Sequence, residues 1–291
     1  MIDFVIGVDG GGTGTRVRVA DRHGIHLAQG VSGPSALGQG LESAWTNILQ
    51  AITSAFQSCL LPVPHWSRCI LAAGLSGNGH QPWREGFLAL NPGFAAVRVE
   101  SDAYTMLLGA HAGKPGVMVT AGTGSIAEAL YPDGGRREVG GWGFPVGDEG
   151  SGAWLGLRAM AHTQAVEDGR AVPGPMAIQV RIHCGGSAAA LLTWCADARQ
   201  FKYAQLALLV FDTAQTDPVA SALLDDAARE LERMAHVLDP QADLPVAVCG
   251  SVGKQLLPRL SSALQQRCVS PAHDATYGAL LLAFRDLETH T

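Results

Sequence analysis

One short pattern limits what this chain can fold into more than any other. An apolar run ending in an acid meets a turn built of glycine and threonine, and a run alternating polar and apolar follows. It occurs as Phe4-Val5-Ile6-Gly7-Val8-Asp9, Gly10-Gly11-Gly12-Thr13-Gly14-Thr15 and Arg16-Val17-Arg18-Val19-Ala20. A period-two alternation after the turn predicts a β-hairpin, not a strand-turn-helix unit. That excludes the dinucleotide fingerprint, whose glycines lead into a helix, and no Gly-Lys-Ser/Thr follows to make a P-loop. The turn glycines let backbone N–H groups approach an anion, and Thr13 and Thr15 add hydroxyls. Asp9, at the strand end, is placed to hold a hydrated Mg²⁺, or simply to cap an ordinary turn.

The pattern returns. Gly116–Thr120 and Ile126–Tyr131 flank Ala121-Gly122-Thr123-Gly124-Ser125, a second hairpin with hydroxyls between glycines. Two such turns, with Gly11, Gly12, Thr13 and Thr15 in one and Gly122, Thr123 and Gly124 in the other, suit the phosphates of a triphosphate. A third cluster, Cys249-Gly250-Ser251-Val252-Gly253, follows the apolar strand Pro245–Cys249 and lets a flat ring approach the backbone.

Between these markers the chain alternates strands and helices. Further strands are expected at Ile25–Gly30, Cys69–Ala73 and Ala96–Glu100. Helices are expected at Leu41–Leu60, Pro82–Leu90, from Asp102 to about Ala112, from Ala153 to Ala165 and onward to Leu238, and from about Asp274 to Leu287. Leu223, Leu224, Ala227, Leu231, Met234, Ala235 and Leu238 mark a core-facing or dimer-facing helix. The order makes two α/β halves, each opening on a glycine-turned hairpin, with the cleft between them as the natural ligand site. The expected lobes are residues 1–112 with the C-terminal helix 273–291, and residues 113–272.

Composition narrows the function classes. Of 291 residues 47% are hydrophobic, enough for one or two packed cores, and the length suggests two lobes or else one large domain. The net charge of −6, without a basic run, argues against a nucleic-acid backbone or an anionic membrane as partner. No apolar stretch approaches a spanning helix, and Met1–Val5 lacks signal-peptide character, so the cytoplasm is the expected compartment. The six cysteines show no CxxC spacing and the ten histidines, His290 the last of them, no HExxH, so a cysteine or histidine metal site is not expected.

In this order the motifs resemble those of the sugar kinase/heat-shock-70/actin superfamily. Asp9–Thr15 is similar to its first phosphate motif, Thr120–Ser125 to the second and Val248–Gly253 to the adenosine motif. Gly74-Leu75-Ser76-Gly77 and Asp274–Leu280 resemble its connecting segments. Gly140-Gly141-Trp142-Gly143-Phe144-Pro145-Val146-Gly147-Asp148-Glu149-Gly150-Ser151-Gly152 is especially similar to the N-acetylglucosamine kinase-like branch, the BadF/BadG/BcrA/BcrD-type ATPases, and within it to bacterial glucosamine kinases. The resemblance covers essentially the whole chain and is weakest from about Glu167 to Pro240.

The resemblance implies an α/β fold of two ribonuclease-H-like, actin-like ATPase lobes and an ATP-dependent amino-sugar kinase. ATP and Mg²⁺ would be its cofactors, Asp9 reaching the metal through water, with Gly250, Ser251 and Gly253 at the nucleotide. The γ-phosphate would pass to the 6-hydroxyl of glucosamine, or else of N-acetylglucosamine. Asp102 would take the proton of the attacking hydroxyl and touch the sugar; on the residues alone, Asp102 also reads as a helix N-cap. Gly141, Trp142, Asp148 and Glu149 would contact the sugar, although Trp142 also reads as core and the acids as solvated loop charges. Ser35, in Gly33-Pro34-Ser35-Ala36-Leu37-Gly38, stands where the branch commonly has a sugar-contacting asparagine. A homodimer is implied as well. Two other classes remain open: a partner-driving ATPase of the dehydratase-activator kind, and a sugar sensor. The first lacks a cysteine in the glycine context its cluster needs, and the second lacks room for a DNA-binding segment before the first strand.

Overall fold

The computed structural model describes residues 1–289; His290 and Thr291, the end of the expected 273–291 segment, lie outside the described residues. The chain divides into two compact units, Met1–Pro115 with the stretch from Pro271 onward, and Gly116–Ser270.

The first unit runs β1 (Phe4–Gly10), β2 (Thr15–Asp21), β3 (His26–Ser32), α1 (Leu41–Ser58), β4 (Cys69–Leu75), α2 (Gln81–Ala89), β5 (Ala96–Glu100) and α3 (Asp102–Ala110). β1 to β3 form an antiparallel meander, and β4 and β5 add in parallel, giving the order β3-β2-β1-β4-β5. All seven residues of β4 are buried, as a parallel strand covered on both faces requires. One stripe of α1, Ala44, Trp45, Ile48, Ala51, Ile52, Ala55 and Phe56, closes one face at helical spacing.

The second unit runs β6 (Gly116–Ala121), β7 (Ser125–Leu130), β8 (Arg136–Gly140), α4 (Gly152–Glu167), α5 (Pro175–His183), α6 (Ala188–Asp197), α7 (Gln200–Thr213), α8 (Pro218–Leu238), β9 (Val246–Cys249), α9 (Ser251–Leu256), α10 (Ser262–Arg267) and β10 (Cys268–Val269). Its sheet order, β10-β9-β6-β7-β8, repeats the first strand for strand: an antiparallel three-strand meander with two parallel additions. α8 is core-facing through Leu224, Ala227, Leu231, Met234, Ala235 and Leu238. The chain returns to the first unit as α11 (Ala275–Thr289).

Both expected hairpins are present, and the chain is an α/β protein with two five-stranded sheets. The third strand lies at His26–Ser32, a little later than expected from Ile25–Gly30. β8, β10, α9 and α10 were not expected. β8 is an edge strand whose Arg136-Arg137-Glu138 is exposed, so it has no apolar alternation to read. β10 has two residues and α9 and α10 six each, too short for any period to show. Among the described residues no helix is long and apolar enough to cross a membrane.

Candidate active site

The parallel register of the first sheet sets one end of it as a working edge. Asp9 pairs with Gly74 and Gly74 with Glu100, so β1, β4 and β5 finish level. Two strand spacings then separate Asp9 from Glu100, about 10 Å. The first glycine turn and Asp102, two residues beyond Glu100, therefore leave the same edge.

At that turn Gly11 N–H donates to Gly14 O at 3.1 Å, closing the hairpin. The amides of Gly12 and Thr13 have no hydrogen-bond partner among the described residues. The Gly11 carbonyl accepts from the N–H groups of Ser35 and Ala36 at 3.1 and 3.2 Å, and Gln39 Nε2 donates to Gly12 O at 3.2 Å. Thr15 is buried, and its Oγ1 donates to Gly33 O at 2.6 Å and lies 2.7 Å from Ser35 Oγ. Its hydroxyl thus braces the Gly33–Ser35 loop instead of facing an anion. Ser35 itself is 1% exposed, so the position expected to touch a sugar packs beneath the turn in this structure. A depression of about 350 Å³ is lined by Asp9, Gly11, Thr13, Gly14, Thr15, Arg16, Val31 and Ser32.

Asp9 accepts from Arg16 at 2.7 Å, a partner the sequence reading missed. Burial pushes its carboxyl above the ordinary range; Arg16 pulls it back only in part, and the nearby Asp274 charge adds to the rise. Asp274 goes the other way. Burial raises it, but hydrogen bonds from the Thr276 hydroxyl, the Tyr277 N–H and Arg18 outweigh that and hold it below the ordinary value.

Asp102 is the first residue of α3, and the N-cap is its neighbour: Ser101 Oγ accepts from Tyr104 N–H at 3.1 Å. The N-cap position considered for Asp102 thus belongs to Ser101. Its Oδ1 accepts from the N–H of Ala103 at 3.0 Å, and the side chain is half-buried.

The second unit builds its turn in the same manner. Gly122 N–H donates to Gly124 O at 2.9 Å, and the amides of Thr123 and Gly124 have no hydrogen-bond partner among the described residues. The carbonyls of Gly122 and Thr123 accept from Gly152 and Ala153 at 2.8 and 3.1 Å, tying the tip to the start of α4. Gly250, at φ +78°, packs against the end of β6, where any side chain would collide with the Ala121 carbonyl. Ser251 and Gly253 continue from it as the first turn of α9, so the third glycine cluster lies beside the second hairpin.

The Gly140–Gly152 loop divides into an outer and an inner part. Trp142 and Val146 are 88% and 89% exposed, so Trp142 is not core, and Gly141 beside it takes φ +70°. Asp148 turns inward: it is 4% exposed, sits at φ +61°, and its carboxylate underlies Gly124, where a Cβ would stand 2.9 Å from Oδ2. Gln200 Nε2, at the start of α7, donates to Asp148 Oδ2 at 2.6 Å. Burial raises the Asp148 carboxyl, the N–H groups of Ser125 and Gly143 lower it by less, and the Glu149 charge adds to the rise. The Glu149 carbonyl accepts from Ser125 Oγ at 2.6 Å. Gln200 gave no sequence signal, because it lies in a helical stretch outside every motif.

No group of three or more His, Cys, Asp or Glu that could hold a metal occurs among the described residues. The acidic edge at Asp9 and Asp274 nevertheless fits a cation that keeps its water and brings phosphate ligands with it, as Mg²⁺ commonly does.

Comparison with known proteins agrees with this geometry. Along residues 6–283 the sequence matches the BadF/BadG/BcrA/BcrD ATPase family. It is 30% identical over 283 residues to a glucosamine kinase of Vibrio cholerae, covering 97% of this chain and 96% of that one. To an N-acetyl-D-glucosamine kinase of Dictyostelium discoideum it is 27% identical over 280 residues, covering 85% of each. The solved structure of a candidate N-acetylglucosamine kinase from Chromobacterium violaceum is 47% identical and superposes with a TM-score of 0.94, covering 97% of this chain and 99% of that one. A ROK family glucokinase of Streptomyces griseus, 17% identical with a TM-score of 0.55 and covering 99% and 100%, shares the fold. The chain belongs to the BadF/BadG/BcrA/BcrD ATPase family.

Proposed function

We propose that this protein is an amino-sugar kinase that transfers the γ-phosphoryl group of ATP to the 6-hydroxyl of glucosamine. The observation that carries the reading is Asp102, the first residue of α3, on the same sheet edge as the Gly10–Thr15 turn. A hydroxyl attacking phosphorus needs orientation and a nearby proton acceptor, and the Asp102 carboxylate supplies both. The unpartnered amides of Gly12, Thr13, Thr123 and Gly124 donate to phosphate oxygens as charge builds on them. Thr15 and Ser125 act behind the turns, and Gly250, Ser251 and Gly253 leave backbone for the nucleoside. Asp9, next to Asp274, would hold Mg²⁺ through its hydration water, and the ion would supply neutralisation of phosphate charge.

The Vibrio relative supports glucosamine as the acceptor, since it matches over nearly the whole of both chains. Asp148 and Glu149 supply negative charge for an ammonium group, with Gly141 and the exposed Trp142 at the sugar face. N-acetylglucosamine is the second reading, favoured by the names of the Dictyostelium and Chromobacterium relatives. The six cysteines are all free, which suits a reducing compartment such as the cytoplasm.

A coupled ADP-release assay with ATP and Mg²⁺ tests this against glucosamine, N-acetylglucosamine, N-acetylmuramic acid, glucose and no sugar. Glucosamine-stimulated release is the expected result. Release that no sugar stimulates overturns the kinase reading and favours a partner-driving ATPase.

A further inference from the structure

Asp9 and Arg16 face each other across the β1–β2 ladder, and Arg16 Nη2 donates to Asp9 Oδ2 at 2.7 Å. Their surroundings differ sharply. The Asp9 side chain is 13% exposed and that of Arg16 62%, although both line the depression beside the first glycine turn. Among the described residues neither side chain has another hydrogen-bond partner.

Arg18, two residues along β2 and so on the same face, is the contrast. Its side chain is 19% exposed; Nε donates to Thr276 Oγ1 at 3.1 Å and Nη2 to Asp274 Oδ2 at 3.2 Å. Asp274 in turn accepts from the Thr276 hydroxyl and the Tyr277 N–H. Arg18 is built into the start of α11, whereas Arg16 rests on a single contact.

A shielded carboxylate needs a positive partner while its site is empty. One ion pair to an arginine that is mostly in water is nevertheless easily given up. Solvent screens it, and a long side chain regains rotamer freedom on leaving. The amides of Gly12 and Thr13 beside it are free for phosphate. The water of a divalent cation entering with that phosphate would donate to the same carboxylate. Guanidinium and dication also repel each other at such a distance, so they compete for Asp9 by charge as well as by space.

We propose that Arg16 is a displaceable counter-ion: it neutralises Asp9 in the empty site and yields the carboxylate to the hydrated divalent cation that arrives with the nucleotide, so that it tunes the preference for metal-bound over metal-free ATP. The inference rests on the reading of Asp9 as the residue that holds the metal. Arg16 acts through Asp9, and the exchange makes and breaks no covalent bond.

The test is calorimetric titration of the full-length protein with the non-hydrolysable ATP analogue AMPPNP, once with Mg²⁺ and once with EDTA. The ratio of the two dissociation constants reads the metal's contribution without any turnover. Arg16→Gln, which keeps a polar side chain and removes the charge, should raise the preference for the Mg²⁺ complex about two- to fivefold, the scale of a surface ion pair. Arg16→Lys should stay nearer the wild-type ratio. Arg18→Gln removes an equal charge from the same face without touching Asp9, and should raise the ratio less. In an Asp9→Asn background the metal preference should fall, and adding Arg16→Gln should change it no further. Melting temperatures are recorded for every variant. If Arg16→Gln weakens binding equally with Mg²⁺ and with EDTA, the guanidinium serves the phosphates and the inference is overturned. An unchanged ratio, or the same gain from Arg18→Gln, overturns it as well. A wild-type protein that binds AMPPNP equally with and without Mg²⁺ overturns the Asp9 metal reading itself, which separates the two failures.

Discussion

Ser125 Oγ donates to the backbone carbonyl of Glu149 at 2.6 Å, and the bond has a counterpart in the other unit. There Thr15 Oγ1 donates to Gly33 O, also at 2.6 Å. Each hydroxyl opens the second strand of a glycine-turned hairpin, and each reaches the loop that follows the third strand of its sheet. The tip carbonyls make the matching ties, Gly11 to Ser35 and Ala36, and Gly122 and Thr123 to Gly152 and Ala153. The two units therefore repeat the fastening of their glycine turns along with their strand order. In both, the turn assigned to phosphate is braced against a loop that the sequence resemblance places at the sugar.

Removing either hydroxyl should loosen its turn. Thr15→Val and Ser125→Ala each delete a buried donor and leave a carbonyl without its partner, costing about 1–3 kcal/mol. Denaturant titration should show that loss, and the ATP KM should rise in both variants. The double variant should be close to additive in stability, because each hydrogen bond belongs to its own compact unit. An ATP KM unchanged in both would mean that the hydroxyls brace the fold without serving the turns.

Asp102→Asn keeps the size of the side chain and removes its capacity to take a proton. Turnover should fall by about 10²- to 10⁴-fold, the usual range for a positioned general base. Nucleotide affinity, measured by calorimetry, should stay nearly unchanged, since the amides assigned to phosphate lie elsewhere. Because Ser101 carries the helix cap, the melting temperature should barely move. A variant that retains turnover would remove Asp102 from the reaction.

The two acids of the first unit should respond to pH in opposite directions. Asp9 is raised by burial despite Arg16, so its protonation in the folded state adds stability. That contribution is present below the ordinary carboxylate value and is lost as pH rises through the raised one. Asp9→Asn should therefore melt above wild type near neutral pH, with the gap closing below about pH 4. Asp274 is lowered by the hydrogen bonds of Thr276, Tyr277 and Arg18, which outweigh its burial. Its stabilisation is present above the ordinary value and fades as pH falls through the lowered one, so Asp274→Asn should melt below wild type at neutral pH. Melting curves from pH 3 to 8 read both signs. A lower melting point for Asp9→Asn at neutral pH would show that Arg16, not burial, governs that carboxyl.

Gly250→Ala tests the third glycine cluster. The residue sits at φ +78°, and a methyl group there meets the Ala121 carbonyl. The left-handed conformation alone costs about 1–2 kcal/mol, and displacing β6 adds to it. The variant should lose both stability and ATP affinity, because Ala121 leads directly into the second turn. Gly134→Ala, with φ +84° but open space around it, should lose stability alone.

Both hairpins, the order of strands and helices in the first unit and the glycine clusters were legible because each rests on a local pattern: period two, period 3.6, or glycine at a strand end. β8 was hidden because an edge strand with one face in water and charges at Arg136, Arg137 and Glu138 loses its alternation. The inward turn of Ser35 and Thr15 was hidden for a different reason. A hydroxyl next to a glycine turn has the same sequence whether it faces an anion or a carbonyl across the loop, and only the fold decides. Asp102 was readable as an acid at a helix start, but that the N-cap is its neighbour Ser101 is a matter of geometry that no spacing reveals. Gln200 was illegible altogether: it meets Asp148 across 52 positions, from a helix with an ordinary composition.

The most direct test of the central claim follows the phosphorus itself. Wild-type protein is incubated with ATP, Mg²⁺ and glucosamine, and the products are identified by ³¹P NMR and mass spectrometry, with a parallel sample lacking sugar. The account predicts glucosamine phosphorylated at its 6-hydroxyl, one equivalent for each ADP formed, and little inorganic phosphate in either sample. Inorganic phosphate released equally with and without sugar, and no sugar phosphate, would contradict it.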